Sequence, residues 1–120
     1  MNWLLVFIGG GIGSLLRYGV GRLIASNYSE SSFPLATLIS NVASCVIFAL
    51  VFTFILSRSQ QPGLLQLLLI TGICGGFSTF SAFSFETFQL LQRQEYGFAL
   101  ANVLINVFSC LLIFVLLARK

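Results

Sequence analysis

Four long apolar stretches take up nearly all of this chain, and no soluble fold can hide them. They run approximately over Trp3–Ile24, Pro34–Leu56, Leu64–Leu91 and Tyr96–Ala118. Each is long enough for a hydrocarbon core, which about 20 helical residues cross. Only 8% of the residues are charged and 58% are hydrophobic, with no histidine, whereas a soluble domain carries roughly 25% charge. The connections Asn27–Phe33, Arg58–Gly63 and Arg93–Glu95 leave no room for a soluble domain or linker. The expected fold is an all-α membrane protein, a single unit over residues 1–120 with four transmembrane helices in a lipid bilayer.

The N-terminus lacks a positive n-region and a small-residue cleavage pattern before Arg17, so a signal peptide is not expected. Cys45, Cys74 and Cys110 fall at lipid depth in odd number, against a disulfide framework. Cys45 and Cys110 read as small packing residues. The net charge of +3 is too small and scattered for nucleic-acid binding.

With four crossings, the N-terminus, Arg58 and Arg119–Lys120 share one membrane face, while Arg17, Arg22 and Arg93 share the other. The Lys/Arg asymmetry that orients membrane proteins is therefore missing. Four short helices also fill their own centre with side chains, so an oligomer is expected. If the chain inserts both ways up, the simplest closed assembly is an antiparallel homodimer about a two-fold axis in the membrane plane. A weak bias resolved by the N-terminal amine is the alternative.

The third stretch carries Gly72-Ile-Cys-Gly-Gly-Phe-Ser-Thr-Phe-Ser-Ala-Phe-Ser-Phe-Glu86. Glycine costs about 1 kcal/mol relative to alanine inside a helix, so a break is expected at Gly72–Gly76. An opened turn in a membrane aims bare carbonyls at a cavity or a cation. Beyond it, Phe77, Phe80 and Phe83 interleave with Ser78, Thr79, Ser81 and Ser84. Positive ring edges and hydroxyl donors suit a small, hard anion, without the deep trap of a buried cation. Glu86 reads as an interface carboxylate bonded to nearby hydroxyls.

Elsewhere, Gly9 and Gly13 form a GxxxG step that admits close helix approach. Arg17 and Arg22 either snorkel to the interface or add positive potential to an anion vestibule. Thr37 and Asn41 share a helix face, as do Asn102, Asn106 and Ser109. Each asparagine is either interhelical glue or part of a polar track for an anion.

Taken together, Gly9-Gly10-x-x-Gly13-Ser14-x-x-Arg17-Tyr18, Pro34-x-Ala36-Thr37-Leu38-x-x-Asn41 and the run Gly72–Glu86 resemble the small bacterial fluoride channels called Fluc or CrcB. The resemblance spans nearly the whole chain. It implies a dual-topology antiparallel homodimer with two fluoride pathways in the bacterial inner (cytoplasmic) membrane. It also implies a structural sodium ion (Na+) held by main-chain carbonyls of Gly75 and Ser78 from both subunits. The pathway phenylalanines map to Phe80 and Phe83, the asparagine to Asn41, and the hydroxyl track to Ser81 and Ser84. Ser78, Ala82 and Ala36 depart from common family residues, and Asn102 stands where some relatives have tyrosine.

The leading function is thus passive, fluoride-selective export that relieves fluoride toxicity. A proton-coupled small multidrug exporter is the alternative, although Trp3–Ile24 holds no Asp or Glu to titrate. A non-transporting assembly subunit comes third. Enzyme chemistry has no nucleophile–base constellation to support it.

Overall fold

The computed structural model describes residues 1–28, 32–58 and 63–118. Arg119–Lys120 and most of the connection after Arg58, both used in the charge argument, lie outside the described residues. Four helical spans are long and apolar enough to cross a membrane. They are α1 (Asn2–Asn27), α2 (Leu35–Phe54), a composite third span (Leu64–Gln92) and α6 (Tyr96–Leu117). The third span consists of α3 (Leu64–Gln66), a π-helix (Leu67–Cys74), α4 (Gly75–Phe77) and α5 (Phe80–Gln92).

The ends have local causes. α1 runs on to Asn27, where Ser26 Oγ and Asn27 Nδ2 both donate to the Leu23 carbonyl. The α5–α6 corner closes with Gln94 N–H on Leu91 O at 3.0 Å and Glu95 N–H on Leu90 O at 2.9 Å. That is a Schellman closure, with Gln94 taking the left-handed position at φ 61°. Glutamine gives no hint of such a corner in the sequence.

The spans pair in parallel. α2 lies along α6, with Phe33 near Phe98, Phe48 near Phe114 (5.3 Å between centroids), and Thr53 Oγ1 donating to Leu117 O. α1 lies along the π-helix and α4. A Cβ on Gly9 would stand 2.8 Å from Gly72 Cα, and one on Gly13 would stand 2.7 Å from Phe77 N. From the other side, a Cβ on Gly72 would meet Gly9 Cα at 2.7 Å, and one on Gly76 would run into Gly10 O. Two glycine steps, Gly9/Gly13 and Gly72/Gly76, thus bring the backbones together as small residues do in membrane helix pairs.

This corrects the expected break. Gly72–Gly76 stays helical, and the chain opens two residues later, where Ser78 and Thr79 are extended. Gly72 and Gly76 serve close packing against α1 rather than loosening the span. The opening is set by Thr79, whose Oγ1 accepts the Ala82 N–H and starts α5 as an N-cap.

The interior is unusually polar for so apolar a chain. Asn102 and Ser40 are its largest fully buried side chains, both at 0% exposure. Thr37, Ser44, Thr79 and Asn106 are buried as well. Beside a small apolar core that includes Phe77 and Leu90, many large hydrophobic side chains face outward, as lipid or a second subunit requires.

Candidate functional site

The extended pair Ser78–Thr79 is held open from α2. Asn41 Oδ1 accepts the Thr79 N–H at 2.9 Å. One turn earlier, the Cys74 carbonyl accepts from Ser78 N (3.0 Å), Ser78 Oγ (2.9 Å) and Ser44 Oγ (3.0 Å). Ser44 thus anchors the last turn before the opening to α2. It escaped the sequence reading because one serine in an apolar helix carries no signature.

Diverting these donors has a consequence for the main chain. In an unbroken α-helix the Gly75 carbonyl would accept from Thr79 N–H, and the Ser78 carbonyl from Ala82 N–H. Here Thr79 N–H goes to Asn41, and Ala82 N–H goes to Thr79 Oγ1 at 3.2 Å. Both carbonyls lose their helical partners. Gly75 and Ser78 border one cavity of about 180 Å³ together with Ser44, Cys74 and Phe114. Carbonyl oxygens of this kind suit a hard cation. Among the described residues, no group of three His, Cys, Asp or Glu side chains comes together.

A second cavity, of about 260 Å³, lies on the other side of the opening. Asn41, Ser78, Thr79, Phe80, Phe83 and Asn106 line it, with Cys45, Val107 and Cys110. Phe80 and Phe83 stand 5.8 Å apart between centroids, tilted by 45°. Phe80 is 79% exposed in the protomer, a large ring standing free beside polar groups. Among the described residues, no charged side chain lines this cavity. Cys45 and Cys110 line it as well as pack, and Cys110 Sγ lies 3.9 Å from Asn41 O.

Asn41 Nδ2 donates to Asn106 Oδ1 at 3.1 Å. Asn106 Nδ2 donates to Asn102 at 2.9 Å, and Asn102 Nδ2 to Thr87 Oγ1 at 2.9 Å. The asparagines therefore act as interhelical glue, while Asn41 and Asn106 also line the cavity. Asn102 is wholly buried away from it.

The remaining candidates separate. Ser81 is exposed, with Oγ 3.2 Å from Thr79 Oγ1, and Ser84 is exposed; neither lines the cavity in the protomer. Glu86 Oε1 accepts from Thr37 Oγ1 at 2.7 Å, as expected for a carboxylate held by a neighbouring hydroxyl. It borders a separate cavity of about 190 Å³ with Ser32, Gln89 and Arg93. Arg17 is half-buried and Arg22 exposed on α1, and neither lines that mouth. Arg93 supplies its positive charge instead, placed there by the α5–α6 corner.

A family model described as CrcB-like protein, Camphor Resistance (CrcB), matches residues 4–118. The chain belongs to the CrcB-like family. It is 40% identical over 103 residues to a Flavobacterium psychrophilum protein, covering 86% of this chain and 82% of that one. It is 42% identical over 112 residues to a Coxiella burnetii protein, covering 92% and 90%. A Solibacter usitatus protein is 38% identical over 107 residues, covering 89% and 87%. All three relatives carry the name fluoride-specific ion channel FluC. With its four apolar spans, this CrcB-like chain is a multi-pass bacterial membrane protein.

Proposed function

We propose that this chain is a subunit of a passive fluoride channel that exports the anion from the bacterial cytoplasm. The observation that carries the reading is the uncharged cavity in which the Phe80 and Phe83 rings meet the Asn41 amide. Fluoride holds its water tightly, so a route must offer donors in exchange. Asn41 has an N–H to spare beyond its bond to Asn106, since no other acceptor takes it among the described residues. The Thr79 hydroxyl and the ring edges supply further weak, positive contacts, and the exposed Ser81 and Ser84 hydroxyls, outside this cavity in the protomer, would extend the route along α5. Conduction needs binding strong enough to admit the ion and weak enough to release it. Enzyme chemistry has no part in this reading. A negative-inside potential drives the anion outward with about 2.3 kcal/mol per charge per 100 mV.

Passive flux separates this reading from proton-coupled export. In sealed vesicles, fluoride efflux should follow the imposed voltage and ignore a pH gradient at fixed voltage. Flux that stops when the pH gradient is removed would favour the exporter. Phe80→Ile and Phe83→Ile should each slow fluoride at least about tenfold while the protein remains folded. They keep apolar bulk and lose the ring edge, and each 1.4 kcal/mol of lost stabilisation is tenfold in rate. Normal flux through both variants would move the route elsewhere.

The assembly belongs to the same proposal. Balanced Lys/Arg and the exposed apolar faces support an antiparallel homodimer of mixed orientation. Reporters fused after Lys120 should then signal from both sides of the membrane; a single side for the whole population contradicts it. In such a dimer, the Gly75 and Ser78 carbonyls of two chains would hold a structural sodium ion. Their lost helical donors fit that role. Replacing sodium by a large organic cation should lower the melting temperature of the purified dimer, and an unchanged value would remove the ion from the account.

A further inference from the structure

Five hydrogen bonds run head to tail from the opening in the third span across α2 and α6 and back to α5. Thr79 N–H donates to Asn41 Oδ1 (2.9 Å), and Asn41 Nδ2 to Asn106 Oδ1 (3.1 Å). Asn106 Nδ2 donates to Asn102 Oδ1 (2.9 Å), and Asn102 Nδ2 to Thr87 Oγ1 (2.9 Å). Thr87 Oγ1 finally donates to Phe83 O at 2.8 Å. The series links the extended pair, α2, α6 and α5.

Its two ends are main-chain groups of fixed character. A peptide N–H can only donate and a carbonyl can only accept, so the direction of every bond between them is settled. Reversing any one asparagine would set amine against amine and carbonyl against carbonyl. Aligned in one sense, the amide dipoles also reinforce one another.

We propose that Thr87 and Asn102 are positioning residues that set which end of the Asn41 amide is offered to the anion. Neither lines the cavity, and Asn102 has no exposure at all. Their effect is transmitted through Asn106, whose amine is held by Asn102 at two acceptors, the side-chain Oδ1 and the main-chain carbonyl, each at 2.9 Å. With the series intact, Asn41 keeps its oxygen on Thr79 and its spare N–H free for fluoride. With the far end released, Asn102 can turn over and set its amine against that of Asn106, which then keeps the main-chain acceptor alone and holds the Asn41 amine less firmly. An Asn41 amide loosened in this way spends part of its time with its oxygen toward the cavity, where it repels an anion. This inference rests on the fluoride-channel reading and adds to it the device that orients the donor.

Thr87→Val keeps the side-chain shape and deletes the hydroxyl, Thr87→Ala deletes it without the bulk, and Thr87→Ser restores it. The measurement is unitary fluoride current in planar bilayers, because misfolded protein lowers the number of channels and not the current through each. Thr87→Val and Thr87→Ala should each pass roughly a tenth of the wild-type unitary current, the scale of one net hydrogen bond. Thr87→Ser should stay near wild type. If one of the two deletions yields no channels, the other decides. Wild-type unitary current in a hydroxyl-free variant overturns the relay while leaving the channel standing. A wild-type protein that passes no fluoride overturns the channel reading on which the relay rests.

Discussion

Asn41→Asp should reduce fluoride flux by roughly a thousandfold. The substitution keeps the oxygen that accepts the Thr79 N–H, so the opening in the third span survives. What changes is the donor: an N–H facing the cavity becomes a second oxygen carrying negative charge. At about 4 Å and an effective dielectric of 20, two like charges repel by about 4 kcal/mol, which is close to three factors of ten in rate. Asn41→Leu removes both the donor and the oxygen that accepts the Thr79 N–H, so it should lose flux by disturbing the opening itself rather than by adding charge. Flux assays on reconstituted protein, matched for the amount of folded protein, read both. An Asp variant as active as wild type would mean that fluoride does not pass Asn41.

Gly13→Val should abolish the folded protein, whereas Gly11→Ala should leave it intact. A Cβ at Gly13 would lie 2.7 Å from Phe77 N and 3.0 Å from Gly76 C, closer still to Ile73 O, and all three are main-chain atoms that no rotamer change can move. Overpacking typically costs about 1–3 kcal/mol, and a rigid backbone contact along α1 puts this case at or above the top of that range. At Gly11 nothing lies within 4 Å of the added carbon, and alanine regains about 1 kcal/mol of helix propensity. Size-exclusion profiles and melting curves distinguish the two. A stable, monodisperse Gly13→Val protein would contradict the backbone packing between α1 and the third span.

The four spans were legible because lipid leaves few choices: length and apolarity alone placed α2, the third span and α6 within a few residues of their observed ends. The opening was not. Glycines at 72, 75 and 76 look like helix breakers when read in one dimension, since nothing in their own segment reveals that Gly9, Gly10 and Gly13 lie against Gly72 and Gly76. The real opening depends on a capping threonine and on Asn41 from another helix. A Thr followed by a helical run is a readable capping signal, but the Phe/Ser alternation hid it. The π-helix over Leu67–Cys74 left no trace in its Leu/Ile composition.

The site was read in part for a similar reason. One face of α6 carrying Asn102 and Asn106 is visible at helical spacing, and so is Asn41. Their mutual bonding is not, because it joins positions 65 and 4 residues apart through one continuous chain of amides. Thr87 and Ser44 passed unnoticed, since a single hydroxyl in a membrane helix commonly bonds its own preceding turn. Arg93 stands at the mouth beside Glu86 only because the Gln94 corner turns there, while the more conspicuous Arg17 and Arg22 remain on α1.

Anion efflux from liposomes bearing the purified protein tests the central claim most directly. Vesicles loaded with fluoride or with chloride would be given the same outward gradient and the same potassium-clamped voltage, with ion-selective electrodes outside. The account predicts rapid fluoride release, no chloride release above protein-free vesicles, and loss of the fluoride signal in Asn41→Asp. Equal release of both anions, or none of either from folded protein, would contradict it.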